Sequence, residues 1–95
     1  MTVAEGGDLL IQGIEALQRG ETQLAVGHFK TILKARPGHS GAVRNLGIIL
    51  MEAGQTDRAL AFAALILADH PGHGEALLLR GEALAAESRF QEALA

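Results

Sequence analysis

Histidine is the residue type of this sequence best suited to chemistry, because three of its four copies lie beside two proline-glycine turns. His70 and His73 are three residues apart, and His39 ends the same Pro-Gly-His tripeptide as His73. A zinc site would need a carboxylate or a further imidazole with ligand geometry, and none is evident in the sequence. A polar residue after Pro-Gly is well placed to cap the next helix. We therefore predict helix caps and no metal site.

A catalytic site would need a nucleophile beside a base. His28 could act as a base only next to a hydroxyl group, but the Ser and Thr residues occupy positions typical of helix caps, turns or the surface. Gly6, Gly7 and Asp8 do not form a phosphate loop, because no lysine follows them, and we interpret them as a helix start. We predict a protein without enzymatic activity and without a cofactor.

The composition favours a single helical domain over residues 1–95. A chain of 95 residues has the size of one small domain. Hydrophobic residues make up 48%, but only three residues are aromatic, so Ala, Leu, Ile and Val must build the core. Such a composition favours helices that pack closely through small side chains.

The charges of the sequence argue against nucleic acid as a partner. Eight Lys and Arg residues stand against eleven Asp and Glu residues, which gives a formal charge of -3 with both signs scattered. The densest basic group is Lys30, Lys34 and Arg36, which fits the last turns of a helix, where cations interact favourably with the helix dipole. We therefore predict no nucleic-acid binding.

The sequence shows no sign of secretion or membrane insertion. It has no cysteine, which excludes disulfides and thiolate metal sites. The segment from Met1 to Gly7 carries Glu5 and no Lys or Arg, unlike a targeting signal. The longest apolar run, 59–68, covers ten residues, about half of the roughly 20 needed to cross a bilayer. We expect a cytoplasmic protein that does not enter the membrane.

A repeat of 34 residues organises the sequence. Residues 6–39 and 40–73 share eleven identities in 34 positions, and a third copy begins at Gly74. Glycine, alanine and proline recur in phase at Gly13, Gly47 and Gly81, at Ala25, Ala59 and Ala93, and at Pro37 and Pro71. The spacing predicts repeats over about 6–39, 40–73 and 74–95, the last one incomplete.

Local signals divide each copy into two helices. Gly20 and Gly54 interrupt the copies, and the hydroxyls of Thr22 and Thr56 are suited to cap the helices that follow. Ser40 is predicted to cap the third helix, and each second helix ends before a proline. We predict helices over residues 7–19, 22–35, 40–53, 56–69 and 74–87, a short helix over 89–95, and no strand.

Glycine inside a helix costs up to about 1 kcal/mol relative to alanine, so the glycines at positions 13, 47 and 81 need a packing reason. We expect the partner helix to approach closely at these positions, near Ala25, Ala59 and Ala93.

A 34-residue helical hairpin with a glycine midway in its first helix, an alanine early in its second helix and a closing proline resembles the tetratricopeptide repeat. The resemblance covers residues 6–95. It implies an all-α fold of antiparallel helical hairpins stacked as a right-handed superhelix, with two full repeats and a truncated third. The family's large aromatic residue early in the first helix is replaced by Leu9, Val43 and Leu77, which predicts a thin core.

The resemblance also implies that the first helix of each hairpin lines a groove in which a protein or peptide partner binds. The implied positions are mostly apolar, with a few charges at the edges, and such a set suits an amphipathic helix or an extended apolar peptide. They are Leu10, Ile14, Arg44, Asn45, Ile48, Met51, Leu78 and Glu82, continued by Gln18, Glu52 and Ala86. An alternative interpretation places Ile48 and Met51 in the core.

The resemblance leaves more than one function open. Tetratricopeptide domains that hold the C-terminal carboxylate of chaperones use a clamp of Lys, Asn and Arg, of which only Asn45 is present here. The chain is also similar to bacterial repeats that precede enzymatic domains such as sulfotransferases. A recognition scaffold for a protein or peptide, a docking arm of a larger enzyme and a self-assembling unit are the alternatives.

Apolar residues outside the predicted core favour self-association. The helix over 56–69 is apolar nearly all round, and Phe62 and Leu65 replace polar residues of the first copy, so we expect both side chains to point outward. Leu77 and Leu84 lie on a helix that no full second helix covers. These four residues predict association by end-to-end packing or by exchange of the terminal helix.

Overall fold

The computed structural model describes the backbone of residues 3–94 and the side chains of residues 7–89 and 91–94. Over this part of the chain the fold consists of five helices without a strand, which confirms the predicted all-α class. The helices are α1 (Val3–Gln18), α2 (Thr22–Ala35), α3 (Ser40–Glu52), α4 (Thr56–Asp69) and α5 (Gly74–Leu94). Predictions that concern Met1, Thr2 and Ala95 lie outside the described residues.

The helices form two compact units, Met1–Leu46 and Gly47–Ala95, and the division falls within α3. In the first unit α1 packs against α2, and in the second unit α4 packs against α5.

Two glycines end the first helices of the hairpins. Gly20 has a φ of +79°, and its amide donates to the carbonyl oxygen of Leu17 over 3.0 Å. The next amide, of Glu21, donates to the carbonyl oxygen of Ala16 over 2.8 Å. This pair of bonds is a Schellman motif, which needs a left-handed residue that glycine adopts at little steric cost. Gly54, with a φ of +71°, ends α3 with the same two bonds.

The prediction that Thr22 and Thr56 cap the second helices is wrong. Each threonine is already the first helical residue, and the residue before it, Glu21 or Gln55, occupies the cap position without a side-chain hydrogen bond to the amides of the helix. The glycine turn leaves only residues 19–21 and 53–55 between the helices. The last residue of each turn therefore has to take the cap position.

The second helices end before the prolines, as predicted. α2 ends at Ala35 and α4 at Asp69, so one residue, Arg36 or His70, separates each helix from its proline. These two residues have ψ angles of 82° and 71°, outside the helical region. Proline disfavours helical backbone in the residue before it, which explains the matching ends.

The first helix begins earlier than predicted. α1 starts at Val3, so Gly6, Gly7 and Asp8 lie inside the helix and do not mark its beginning. A glycine ends a helix where it takes a positive φ, as Gly20 and Gly54 do, whereas Gly6 and Gly7 keep helical backbone.

The last helix is longer than predicted. α5 runs without interruption from Gly74 to Leu94, so the break near residue 88 and the separate short helix over 89–95 are wrong. The third copy has Ser88 at the position of Gly20 and Gly54. A serine side chain disfavours the left-handed backbone that ends α1 and α3, and the helix continues through this position.

The core of the first unit is built around one aromatic ring. Phe29 and Ile32 of α2 are fully buried, as is Val43 of α3. A β-carbon built on Gly13 would lie 2.5 Å from Cε1 of Phe29, so the ring occupies the space that a side chain at position 13 would need. The close approach of the partner helix predicted at Gly13 is confirmed, and the nearest atoms are those of the Phe29 ring, one turn after Ala25.

The core of the second unit is made mostly of alanine. Ala59 and Ala63 of α4 pack with Leu79 and Ala83 of α5, and all four residues are buried. A β-carbon on Gly47 would lie 3.0 Å from a methyl group of Leu79. The close approach predicted for this glycine therefore comes from α5. This small cluster agrees with the thin core expected from the shortage of aromatic residues.

The third glycine of the series lacks such a contact with the residues that the structure describes. None of their atoms lies within 4 Å of a β-carbon built on Gly81, and Ala93, expected beside it, is exposed. The packing reason predicted for a mid-helix glycine is thus found for the first two copies and not for the third.

We predict opposite effects of alanine at two equivalent glycines. Gly13→Ala should lower the free energy of unfolding by about 1–3 kcal/mol, because the buried Phe29 ring cannot make room for a methyl group without strain. Gly81→Ala should raise it by up to about 1 kcal/mol through helix propensity alone. Urea unfolding followed by circular dichroism measures both changes, and a Gly13→Ala variant as stable as wild type would contradict the tight contact.

Candidate partner-binding surface

His39 and His73 lie immediately before α3 and α5 and cap both helices. Nδ1 of His39 accepts a hydrogen bond from the amide of Ala42 over 3.2 Å, and Nδ1 of His73 accepts one from Ala76 over the same distance. The predicted capping role is confirmed. The prediction for Ser40 is wrong, because Ser40 is already helical and the imidazole one residue earlier accepts from the free amide.

His39, His70 and His73 therefore lie at helix ends, where two of them act as caps. The rings of His70 and His73 meet edge to face, with centroids 6.4 Å apart. Among the described residues, no group of three or more His, Cys, Asp or Glu is placed to hold a metal ion.

In the first unit, three of the four main predicted groove residues are only partly exposed. Leu10 and Ile14 are half-buried, and the methyl groups of Leu10 lie 2.8 and 3.1 Å from the β-carbon position of Gly41 at the start of α3. Asn45 is also half-buried, and its side-chain amide donates to the carbonyl oxygen of Gly41 over 2.7 Å. Arg44 is exposed. The one residue that matches the carboxylate clamp is thus bonded to its own helix.

In the second unit, the predicted groove residues differ in burial. Ile48 is 40% exposed and Leu78 is 57% exposed, and Glu82 is exposed as well. Met51 is half-buried and packs against the alanine-rich core cluster. The alternative interpretation, which placed two residues in the core, therefore describes Met51 but not Ile48.

The residues predicted to mediate self-association also differ. Leu65, Leu77 and Leu84 are 70%, 38% and 50% exposed. Phe62 does not point outward as expected: it is half-buried and packs against the core cluster. The thin core explains this, because alanines at positions 59, 63 and 83 leave space that the ring fills.

No described helix is long and apolar enough to cross a membrane.

The sequence did not indicate a depression in the second unit. It lies between residues 54–58, which form the end of the glycine turn and the start of α4, and the last turns of α5, where Ala86, Glu87, Gln91 and Leu94 line it. It exists because α5 continues past Ser88. In the sequence, Ser88 at the position equivalent to Gly20 and Gly54 was the signal that could have predicted this depression.

Comparison with known protein families agrees with this architecture. A family model described as tetratricopeptide repeat matches residues 16–73, which is more than half of the chain. The chain therefore belongs to the tetratricopeptide repeat family. Comparison with curated proteins and with solved structures finds no match. Repeats of this family are generally protein-protein interaction modules, which implies protein partners.

We predict that the two imidazole caps stabilise the fold independently of partner binding. His39→Ala and His73→Ala should each lower the free energy of unfolding by about 0.5–2 kcal/mol, because an amide at the helix start loses its acceptor. Asn at either position should restore most of this loss. Urea unfolding measures the changes, with His28→Ala, in the middle of α2, as the control. If Asn destabilises as much as Ala does, the imidazoles act by packing and not by capping.

Proposed function

We propose that this protein is an interaction scaffold that binds a peptide or a helix of another protein on an apolar surface formed by the first helices of its hairpins. The observation that carries the proposal is the exposure of two aliphatic side chains, Ile48 at 40% and Leu78 at 57%, in the second unit. We define the binding surface as Ile48, Leu78 and the glutamates one turn beyond each, Glu52 and Glu82.

The positions of these residues support the inference that they form one surface. Ile48 follows Gly47 on α3, and Leu78 precedes Leu79 on α5. Gly47 and Leu79 are in close contact, with a methyl group of Leu79 3.0 Å from the β-carbon position of Gly47. The contact therefore brings α3 and α5 together and holds the two exposed side chains beside their junction. An apolar pair at such a junction suits a side chain inserted from a partner.

The charges at this surface favour a partner with basic flanks. Glu52 lies four residues after Ile48, Glu82 lies four residues after Leu78, and both glutamates are exposed. Residues four apart in a helix lie on the same face. We expect the partner to place apolar side chains on Ile48 and Leu78 and Lys or Arg near the glutamates, whose charges assist its orientation. The remaining predicted positions, Leu10, Ile14, Arg44, Asn45 and Met51, are not part of the surface defined here.

Selection from a displayed library of short peptides tests the proposal. Peptides selected on the wild-type protein should carry apolar residues flanked by basic ones. Their affinity, measured by fluorescence anisotropy, should fall at least about tenfold with Ile48→Asp or Leu78→Asp, since each change places an unpaired charge in the contact. The helical circular dichroism signal should stay unchanged, because both side chains are exposed.

Leu24 provides a matched control, since it is 47% exposed on α2 and lies outside the proposed surface. Leu24→Asp should bind the selected peptides as wild type does. Peptides that tolerate Ile48→Asp and Leu78→Asp but not Leu24→Asp would overturn the proposed location.

A further inference from the structure

The outer face of α5 is exposed at positions that the earlier copies bury. We define it as Leu77, Gly81 and Leu84. The equivalent residues of the second copy are Val43, which is fully buried, Gly47, which contacts Leu79, and Leu50, which packs against the core cluster. In the third copy Leu77 is 38% exposed and Leu84 is 50% exposed, and no described atom outside α5's own backbone lies within 4 Å of a β-carbon built on Gly81. This face therefore has the residues of a helix-packing surface, but no described helix covers it.

The outer face of α4 is apolar where the equivalent face of α2 is polar. We define it as Ala61, Ala64, Leu65 and Ala68, all of which are exposed, Leu65 at 70%. The equivalent residues of α2 are also exposed, and the repeat there places polar or very small residues. These are Gly27, Lys30, Thr31 and Lys34. A solvated face is thus polar in one hairpin and apolar in the other, which marks the α4 outer face as an interaction surface.

The two outer faces match each other in pattern. In the first unit, α2 covers Gly13 with Phe29, which has a small residue, Ala25, four positions before it and Ile32 three positions after it. The α4 outer face repeats this spacing with a bulky residue, Leu65, between Ala61 and Ala68. The α5 outer face offers the open glycine that such a residue needs.

We propose that copies of this chain assemble head to tail, with the α4 outer face of one copy packed on the α5 outer face of the next and Leu65 seated over Gly81. One copy cannot join its own two faces. Its α4 and α5 already pack through the opposite sides, where Ala59 and Ala63 meet Leu79 and Ala83. Each copy therefore contributes one face of each kind. A contact between different faces does not close on itself in a dimer, and it lets assembly continue to longer chains or to a ring.

Complementation between two variants tests this arrangement. The wild-type mass, measured by sedimentation equilibrium, should rise with concentration beyond that of a dimer. Leu65→Glu and Leu84→Glu should each be monomeric, with association weakened by at least about 30-fold, the loss typical of a central apolar anchor. Leu65→Glu keeps an intact α5 outer face, and Leu84→Glu keeps an intact α4 outer face. An equimolar mixture of the two variants should therefore form a 1:1 heterodimer and nothing larger.

Two further variants separate the proposal from unfolding and from general stickiness. Gly81→Ala should raise the melting temperature of the dilute protein and at the same time weaken association, because a methyl group fills the site for Leu65. Leu24→Glu changes a leucine that is 47% exposed outside both faces, and it should associate like wild type.

Other outcomes would overturn the proposal. A mixture of Leu65→Glu and Leu84→Glu that stays monomeric would mean that the α4 outer face does not bind the α5 outer face. A dimer formed by either variant alone would mean that like faces pair with like. A wild-type protein that is monomeric up to about 1 mM would mean that no second copy covers these faces, and would leave them to an apolar helix of another protein. Ile48 and Leu78 lie outside both faces. Either result is therefore independent of the proposed peptide-binding function, which is tested separately.

Discussion

Gly13 carries no β-carbon, and the ring of Phe29 occupies the space where one would be, 2.5 Å from its position. The first hairpin depends on this contact. The glycine lowers the helix propensity of α1 by up to about 1 kcal/mol, and in return the largest side chain of the unit becomes fully buried. Burial of an apolar side chain of this size contributes about 1.5–3 kcal/mol. The exchange favours the folded hairpin, and it explains why a helix former is missing from the middle of a helix.

The equivalent glycines of the other two copies differ in the side chain that packs against them. At Gly47 the side chain that takes this space is Leu79 of α5, and the rest of its core cluster is built from alanines. At Gly81 no described side chain takes this position. The second unit thus has a smaller core than the first and more apolar surface left over. Phe62 turns inward to fill part of the space between the alanines, whereas Leu65, Leu77 and Leu84 stay exposed.

The exposed surface of the second unit accounts for its proposed roles. Ile48 and Leu78 lie beside the junction of α3 and α5, with a glutamate one turn beyond each, which suits an apolar ligand with basic flanks. The α4 and α5 outer faces lie elsewhere on the unit and suit a second copy of the chain. Both proposals have the same origin, since a core made of small residues buries few of the unit's leucines and isoleucines.

Much of the fold follows from local chemistry and was readable along the chain. The turns at Gly20 and Gly54, the helix ends before Pro37 and Pro71 and the caps at His39 and His73 each depend on residues a few positions apart. Backbone conformation and hydrogen bonding over such distances act whatever lies across the fold. Even the continuation of α5 was signalled locally, by Ser88 at a glycine position.

The candidate surfaces could not be predicted to the same degree. α4 is apolar nearly all round, so its periodicity could not say that Phe62 faces the core and Leu65 the solvent. The same limit applied to Met51, which packs inward, and to Ile48, which is exposed. Which side of an apolar helix is buried depends on where a distant segment packs, here α5 against α3 and α4. That placement is set by the sizes of side chains that meet only after the chain has folded, such as Leu79 on Gly47.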